Sequence, residues 1–418
     1  MRRSAVCVLA ALLSLSVHAE TVAIKAARVL DVRRGVVLTG TFVVVEDDHI
    51  KSLSATVPPG VRVIDLGDVT LLPGLMDMHV HLDVGRTPGA KPFATEQIEP
   101  ADMAIVAAVN ARATLMAGFT TVRSCGSNNF IDVALKRAVE RGAIDGPRII
   151  PSGYQISMTG GHGDNTGYAE GVYELSTKQG VADGVPQLLF AVRYQLKHGA
   201  EVIKLMATAG VAGSERTATN RQYSDEELRA VVDEAKRNGV RVAAHAHGAE
   251  GILAAIKAGV DSIEHGSQMT DEAIRLMKER GTFLVPTLYV TTPESKQGRN
   301  WSPEMQKKGD AMSAAAHVNF KKAADAGVKI AFGTDSGVYP HGLNAREFKV
   351  LVTYGMKPAD AIRSATIGAA ELLGVDDRGE VVAGKLADLI AVSGNPLDDV
   401  TVLEHVSFVM FGGRIVKQ

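Results

Sequence analysis

Two histidines lie one residue apart in the apolar segment GLMDMHVHLD, residues 74–83. Side chains alternate between the two faces of a β-strand, so His79 and His81 share one face of this segment. Asp77 lies two residues before His79, on the same face but farther from the end of the strand. Two imidazoles placed in this way are either buried core residues or two ligands of a metal ion. Their spacing alone does not decide between these interpretations.

Four other polar side chains interrupt apolar segments farther along the chain: Lys204 in EVIKLM, His245 in VAAHAHG, His265 in SIEHG and Asp335 in IAFGTDSG. Each of them alone has an ordinary structural explanation. Together they suggest a metal site, because imidazole and carboxylate groups bind zinc and similar divalent ions. A buried lysine is costly unless its charge is paired or removed. Carboxylation of its ε-nitrogen would convert Lys204 into an anionic carbamate that two cations could share.

The middle of the chain alternates short apolar segments with longer amphipathic stretches, several of which end in glycine as helices often do. The segments predicted as strands are Leu75–Leu82, Thr120–Ser124, Arg148–Ser152, Val202–Met206, Val242–His245, Ser262–His265, Phe283–Thr287 and Ile330–Thr334. Eight β-then-α units predict an α/β fold of the (β/α)8 TIM barrel type, with a doubly wound sheet as the alternative. In such a barrel the polar residues at the strand ends meet at one rim.

Both ends of the chain instead show the short alternating pattern of antiparallel strands with glycine turns. We therefore predict a small β-sandwich domain built from residues 20–73 and 384–418, with the barrel, residues 74–383, inserted between them. Residues 1–19 have a basic start and an apolar centre, which is typical of a signal peptide and predicts a periplasmic or secreted protein. The formal net charge of −2 gives no reason to expect nucleic acid or, after signal cleavage, a membrane as partner. A homo-oligomer stays possible.

The order of these residues resembles the amidohydrolase superfamily: H-x-H on the first strand, lysine on the fourth, histidine on the fifth and sixth, and aspartate on the eighth. PGLMDMHVHL, AFGTDSG and GKLADLIAVSGNP resemble segments of its members, in which the two termini build a β-sandwich beside the barrel. The resemblance implies two divalent metal ions, for which zinc is the default choice. It implies that His79, His81 and Asp335 bind one ion, that His245 and His265 bind the other, and that Lys204 bridges them as a carbamate formed from CO2.

Within the superfamily, MTGGHGD (158–164) and NRQYSDEEL (220–228) resemble the bacterial prolidase and Xaa-Arg/Lys carboxypeptidase group, to which the imidazolonepropionases are related. This resemblance implies hydrolysis of dipeptides or N-acyl amino acids with release of a C-terminal amino acid, Lys or Arg being favoured. Asp335 would transfer the proton to the leaving amine. His162 would assist catalysis and contact the substrate, and Tyr223 and Arg221 are candidates for holding its carboxylate. His247 is interpreted as structural or as a residue that supports a ligand from behind.

Three alternative functions remain open at this point. The first two are an Xaa-Pro dipeptidase and a cyclic-amide hydrolase of the same superfamily. Deamination is disfavoured because a single metal ion does not need a bridging carbamate on Lys204. The third is an exported protein that binds a metal or a small molecule without catalysis, and Asp335 argues against it because a binding protein needs no proton carrier.

Overall fold

The computed structural model describes residues 21–84, 99–213, 216–297 and 301–418. The predicted signal peptide, residues 1–19, lies outside these ranges. The fold is α/β, as the sequence predicts. Within the described ranges, no helix combines the length and the apolar character that crossing a bilayer requires.

The two ends of the chain form two sheets. Their strands are β1 (Thr21–Lys25), β2 (Arg28–Asp31), β3 (Val36–Thr39), β4 (Phe42–Glu46), β5 (His49–Ser54), β6 (Arg62–Asp65), β7 (Val69–Pro73), β15 (Leu389–Ser393), β16 (Val406–Phe411) and β17 (Arg414–Lys417). One sheet has the order β5-β4-β1-β6 and the other β17-β16-β15-β7-β2-β3. The antiparallel pairing of β7 with β15 joins the two ends of the chain. Apolar residues of both sheets, among them Ile24, Val43 and Leu389, share one core.

The middle of the chain contains parallel strands separated by helices. These strands are β8 (Leu75–Val80), β9 (Phe119–Ser124), β10 (Arg148–Ile150), β11 (Val202–Met206), β12 (Arg241–Ala246), β13 (Ser262–His265) and β14 (Phe283–Val285). They form two sheets, β10-β9-β8 and β11-β12-β13-β14. A single parallel bridge between Ile156 and Leu205 connects the segment after β10 with β11.

The eighth segment predicted as a strand, Ile330–Thr334, differs from the prediction because it forms only single bridges. Ile330 pairs with Leu284 of β14, and Ser336 pairs with Val80 of β8. The backbone N–H of Ala331 donates to Leu284, and that of Met78 donates to Phe332. The segment therefore lies between β14 and β8, and the parallel pairings follow one another in a cyclic order.

The helices are α1 (Pro100–Met116), α2 (Ile131–Glu140), α3 (Gly184–His198), α4 (Asp225–Arg237), α5 (Ala249–Ala258), α6 (Asp271–Arg280), α7 (Pro293–Lys296), α8 (Pro303–Ala326), α9 (Arg346–Thr353), α10 (Pro358–Ser364) and α11 (Ile367–Leu373). A capping box begins α4: Ser224 accepts from the backbone of Glu227, whose side chain accepts from the backbone of Ser224. Gly199 ends α3 with a φ of 105°, a conformation that glycine adopts without a steric cost. Helices follow the parallel strands along the chain, and residues at the carboxyl ends of several strands line one cavity.

Candidate active site

The structure brings the six predicted metal ligands into one cavity at the carboxyl ends of the parallel strands. The shared lining residues are His79, His81, Lys204, His245, His265 and Asp335. His79 is in β8, Lys204 in β11, His245 in β12 and His265 in β13. Asp335 follows the eighth segment, and its backbone N–H donates to the carbonyl of His79 at 2.8 Å. Residues that are far apart in the sequence thus meet because consecutive strands are parallel.

His79, His81 and Asp335 direct three electron-rich atoms toward one point. Nδ1 of His79 contacts the Glu264 carboxylate at 2.7 Å, and Nδ1 of His81 contacts the carbonyl of Gly126 at 3.1 Å. Because these oxygens only accept, both Nδ1 atoms carry the proton and both Nε2 atoms keep a lone pair. The two Nε2 atoms lie 3.6 and 3.3 Å from Oδ1 of Asp335. A cation is needed to bring these three acceptors together, so the donor set fits a metal ion.

The protonation states of this group favour a cation. Burial and the charge of Lys204 lower the pKa of His79 to about 4. Burial alone would raise the pKa of Asp335, but its contact with His81, the neighbouring His79 and the charge of Lys204 outweigh burial and lower that pKa to about 2. Near neutral pH the group is therefore a neutral imidazole beside an ionised carboxylate, which is the form that binds a metal ion.

Lys204 lies buried among these imidazoles, with its Nζ atom 3.2 Å from Nε2 of His79. Lys204 belongs to the β11 segment VIKLM, and every residue of this segment is buried. An ammonium group in such a place is costly, and carboxylation of the nitrogen would replace it by an anion.

A second group of imidazoles lines the same cavity. His245, His247 and His265 each offer a ring nitrogen within 4.8 Å of the others. Burial, followed by the charges of neighbouring histidines and Lys204, lowers the pKa of both His245 and His265 well below its usual value. His247, interpreted from the sequence as structural or as a residue that supports a ligand from behind, lies in the cavity wall with its ring stacked on that of His265 at 4.9 Å between centroids.

A buried ion pair supports His79 from behind. Glu264 of β13 accepts from His79, from Arg123 of β9 at 2.7 Å and from the hydroxyl of Ser262 at 2.5 Å. Arg123 also donates to the carbonyl of Met78 at 2.6 Å. Burial alone would raise the pKa of Glu264, but Arg123 and His79 lower it to about 2. A carboxylate that orients a metal-binding imidazole is a common feature of metal sites, although sequence reasoning missed both Arg123 and Glu264.

Three residues around the cavity have strained backbones. The φ angles of His265, Thr287 and Asp335 are 69°, 50° and 60°. A β-branched residue such as Thr287 rarely adopts this left-handed conformation. Its hydroxyl contacts Nδ1 of His265 at 2.7 Å, so it helps to fix that ring. Such strain is concentrated at functional sites, where the surrounding structure holds it.

Asp77 lies beneath the site, as its spacing predicts. It accepts from the backbone N–H of His79 and Thr334 at 3.1 Å, from the hydroxyl of Thr334 at 2.6 Å and from Asn344 at 2.8 Å. Thr334 immediately precedes Asp335. Asp77 therefore connects the strand that carries His79 with the segment that carries Asp335, and it contributes no ligand atom.

His162 lines the cavity, as its predicted role requires. Its ring stacks on that of His245, with 4.5 Å between centroids. Gly210 makes this approach possible, since a Cβ atom there would lie 2.0 Å from Cε1 of His162. The lack of a side chain at Gly210 thus allows the imidazole of His162 to reach His245, one of the candidate metal ligands.

Tyr223 and Arg221 do not reach the cavity, so their predicted contact with a substrate carboxylate needs correction. Tyr223 packs in the hydrophobic core, and its hydroxyl donates to the carbonyl of Ala182 at 3.2 Å. The Nε atom of Arg221 donates to the carbonyl of Tyr223 at 2.5 Å, and its guanidinium pairs with Asp225. Both side chains are engaged by the start of α4, and the described lining of the cavity includes neither.

Three other polar residues lie outside the described cavity lining. His341 is buried, bonded through Nδ1 to the hydroxyl of Thr114 and through Nε2 to the carbonyl of His81. Glu347 accepts from the backbone N–H of Leu288 and Tyr289. Asp164 accepts from the backbone of its own loop. They stabilise the loops around the site.

A cluster of neutral imidazoles with an ionised carboxylate and a buried lysine, at the carboxyl ends of parallel strands, is typical of metal-dependent hydrolytic enzymes. The family model described as "Amidohydrolase family" matches residues 70–416. The chain belongs to this family and is a hydrolytic enzyme, as the sequence patterns predict.

Named relatives support amide hydrolysis. The ochratoxinase of Aspergillus niger is 35% identical over 370 residues, which are 83% of this chain and 75% of the relative. A Xaa-Pro dipeptidase solved with methionine in its active site is 40% identical, with a TM-score of 0.90, over 95% of this chain and 100% of the other. A prolidase solved with N-methylphosphonate-L-proline is 33% identical, with a TM-score of 0.86, over 95% and 100% of the two chains. The chain is therefore a hydrolase of amides that acts on small molecules.

Proposed function

We propose that this chain is a binuclear metal-dependent hydrolase that cleaves the amide bond of dipeptides or N-acyl amino acids and releases the C-terminal amino acid. The observation that carries the proposal is the convergence of His79, His81, Asp335 and the second imidazole group on one cavity that also contains a buried lysine. The names of the similar dipeptidase, prolidase and ochratoxinase agree with this reaction.

The cyclic order of the parallel pairings supports a (β/α)8 barrel for residues 74–383. The two sheets built from the chain ends support a β-sandwich of residues 20–73 and 384–418. The basic and apolar start of the chain supports export after cleavage of residues 1–19. Fractionation of cells that express the full chain tests export. Recovery of the protein from the cytoplasmic fraction alone would contradict it.

His79, His81 and Asp335 would hold one divalent ion, and His245 and His265 the other, with Lys204 between them as a carbamate. Zinc suits imidazole and carboxylate ligands. When bound, two such ions polarise the carbonyl of the scissile bond and lower the pKa of the attacking water. The chain's own contribution is to keep His79 neutral, through burial, and to orient its ring, through the contact with Glu264.

Asp335 is the residue that moves the proton. Its carboxyl group is ionised near neutral pH, as a group that accepts a proton from the attacking water must be. The same carboxyl group can then deliver that proton to the leaving nitrogen of the amide. His162 lines the same cavity with its ring stacked on that of His245, so we expect it to contact the substrate.

The cavity wall favours an uncharged side chain on the released amino acid. Its apolar part includes Val211, Val290, Trp301 and Met312, and among its described residues Asp335 is the sole carboxylate. A cationic side chain needs an acidic partner when it leaves water. The Lys/Arg preference expected from the sequence therefore has no support in this lining, and we favour Xaa-Pro or another apolar residue at the C-terminal position.

A dipeptide library, scored by released amino acid with zinc-loaded protein, tests the proposal. We expect hydrolysis of several Xaa-Xaa substrates, including Xaa-Pro, and its loss in Asp335→Asn. A protein that is fully loaded with metal but releases no amino acid from any dipeptide or N-acyl amino acid contradicts the proposal. Hydrolysis of cyclic amides alone would indicate the related cyclic-amide reaction.

A further inference from the structure

Among the residues that the structure describes, the outer part of the catalytic cavity contains one cationic side chain. We use the name outer wall for five residues that line the cavity: Val290, Lys296, Trp301, Met312 and Val338. Four of these side chains are apolar or aromatic, and Lys296 is the exception. Among the described lining residues, the other lysine is Lys204, which lies at the bottom beside His79.

The ammonium group of Lys296 has a fixed place at this wall. Lys296 is the last residue of α7, and 19% of its side chain is exposed. Its Nζ atom donates to Oδ1 of Asp310 of α8 at 2.7 Å, while Asp310 is 67% exposed. An ammonium group has three N–H donors, so its hydrogen bond to Asp310 leaves donors for a further acceptor. Asp310 thus orients the ammonium group without enclosing it.

The segment that carries Lys296 is tied to the metal-binding residues. The hydroxyl of Thr287 contacts His265. Glu347 accepts hydrogen bonds from the backbone N–H groups of the two residues that follow Thr287, Leu288 and Tyr289. The hydroxyl of Ser295 donates to the carbonyl of Val290 at 3.0 Å, which fixes α7 on this segment. The position of Lys296 relative to the reacting centre is therefore determined by a continuous set of hydrogen bonds.

We propose that Lys296 binds the free carboxylate of the substrate's C-terminal amino acid and is a specificity determinant for N-acyl amino acids and dipeptides over neutral amides. This inference rests on the proposed function, since it assigns the substrate class of the same cavity. A carboxylate that enters an apolar cavity must find a cationic partner to offset the loss of its hydration. Lys296 supplies that partner, and the apolar neighbours exclude water and strengthen the interaction.

The test compares the best-hydrolysed dipeptide with its C-terminal carboxamide. For the wild type we expect kcat/KM to be roughly 10- to 100-fold higher for the free acid, the range for a hydrogen bond to a charged group. Lys296→Met should bring this ratio close to one by lowering kcat/KM for the free acid only. Lys296→Arg, which keeps the charge, should retain most of the preference.

Two further variants separate recognition from structure. Asp310→Asn removes the ion pair but keeps the ammonium group, so the preference for the free acid should persist. Lys307→Met removes an exposed lysine of α8 and should leave both substrates unaffected. Equal losses on both substrates in Lys296→Met would show that Lys296 is only structural and would overturn the inference.

The outcome for the wild type separates this inference from the proposed function. Hydrolysis of acid and carboxamide at equal kcat/KM overturns the role of Lys296 and leaves amide hydrolysis established. Absence of hydrolysis of any dipeptide by the metal-loaded wild type overturns the proposed function, and the role of Lys296 with it.

Discussion

Replacement of Glu264 by glutamine should damage stability and metal binding together. The Glu264 side chain is fully buried and accepts from His79, Arg123 and Ser262. Glu264→Gln keeps the shape but leaves the buried guanidinium of Arg123 without a counter-charge. Breaking a buried ion pair in this way costs about 3–5 kcal/mol. Since glutamine no longer offers a carboxylate to Nδ1 of His79, metal affinity should fall by roughly 10- to 100-fold.

Urea unfolding of the metal-free protein measures the first effect, and competition with a chromogenic zinc chelator measures the second. Glu234→Gln is a matched control, because Glu234 is also a buried carboxylate with two arginine partners. Those partners, Arg193 and Arg237, are 59% and 65% exposed. Their guanidinium groups regain water when the pair is broken, so this variant should lose less stability and keep its zinc affinity.

The reasoning about Glu264 would be refuted by a variant whose free energy of unfolding falls by less than about 1 kcal/mol while its zinc affinity equals that of the wild type. Equal stability losses in Glu264→Gln and Glu234→Gln would also contradict it. In that case the guanidinium of Arg123 would have another way to offset its charge.

Three further predictions concern other parts of the molecule. Lys204→Ala should lower zinc occupancy below that of the wild type, measured by atomic emission after gel filtration, whereas retention of all the zinc would contradict the carbamate bridge. Tyr223→Phe should cost about 1 kcal/mol, the value of one neutral hydrogen bond, and leave KM unchanged; a large rise in KM would restore its predicted contact with substrate. Burial raises the pKa of Glu347 from 4.5 to about 8, so the folded protein holds a proton that the unfolded chain has released. Its contribution to stability is complete below about pH 4.5 and is lost as the pH rises through about 8, by up to about 1.4 kcal/mol per pH unit. Urea unfolding of the metal-free protein from pH 5 to 8 should show a shallower loss for Glu347→Gln, and identical pH dependence would contradict this.

The residues of the candidate site that interrupt apolar strands were predictable from the sequence. His79, Lys204, His245 and His265 lie in buried strand segments, where a polar side chain is unusual enough to suggest chemistry. Their convergence follows from the parallel order of the strands, which the alternation of strands and helices indicates. Asp335 was predictable for the same reason, although its segment forms single bridges instead of a regular strand.

The residues that act on the ligands from behind could not be identified in this way. Arg123 and Glu264 are meaningful as a pair because β9 and β13 place them together across 141 positions of sequence. Tyr223 illustrates the opposite error, since a tyrosine in a loop before a helix suggests binding, while the fold turns its ring into the core. The outer wall depends on how α7 and α8 approach the cavity, and no local pattern encodes that approach.

The number of metal ions needed for amide hydrolysis tests the central claim most directly. Metal-free protein should be titrated with zinc in the presence of bicarbonate while the release of amino acid from the best dipeptide substrate is measured. The two groups of ligands around Lys204 predict that activity rises until about two ions are bound per chain and then stays constant. Full activity at one ion per chain, with the second ion having no effect on rate, would contradict the binuclear site.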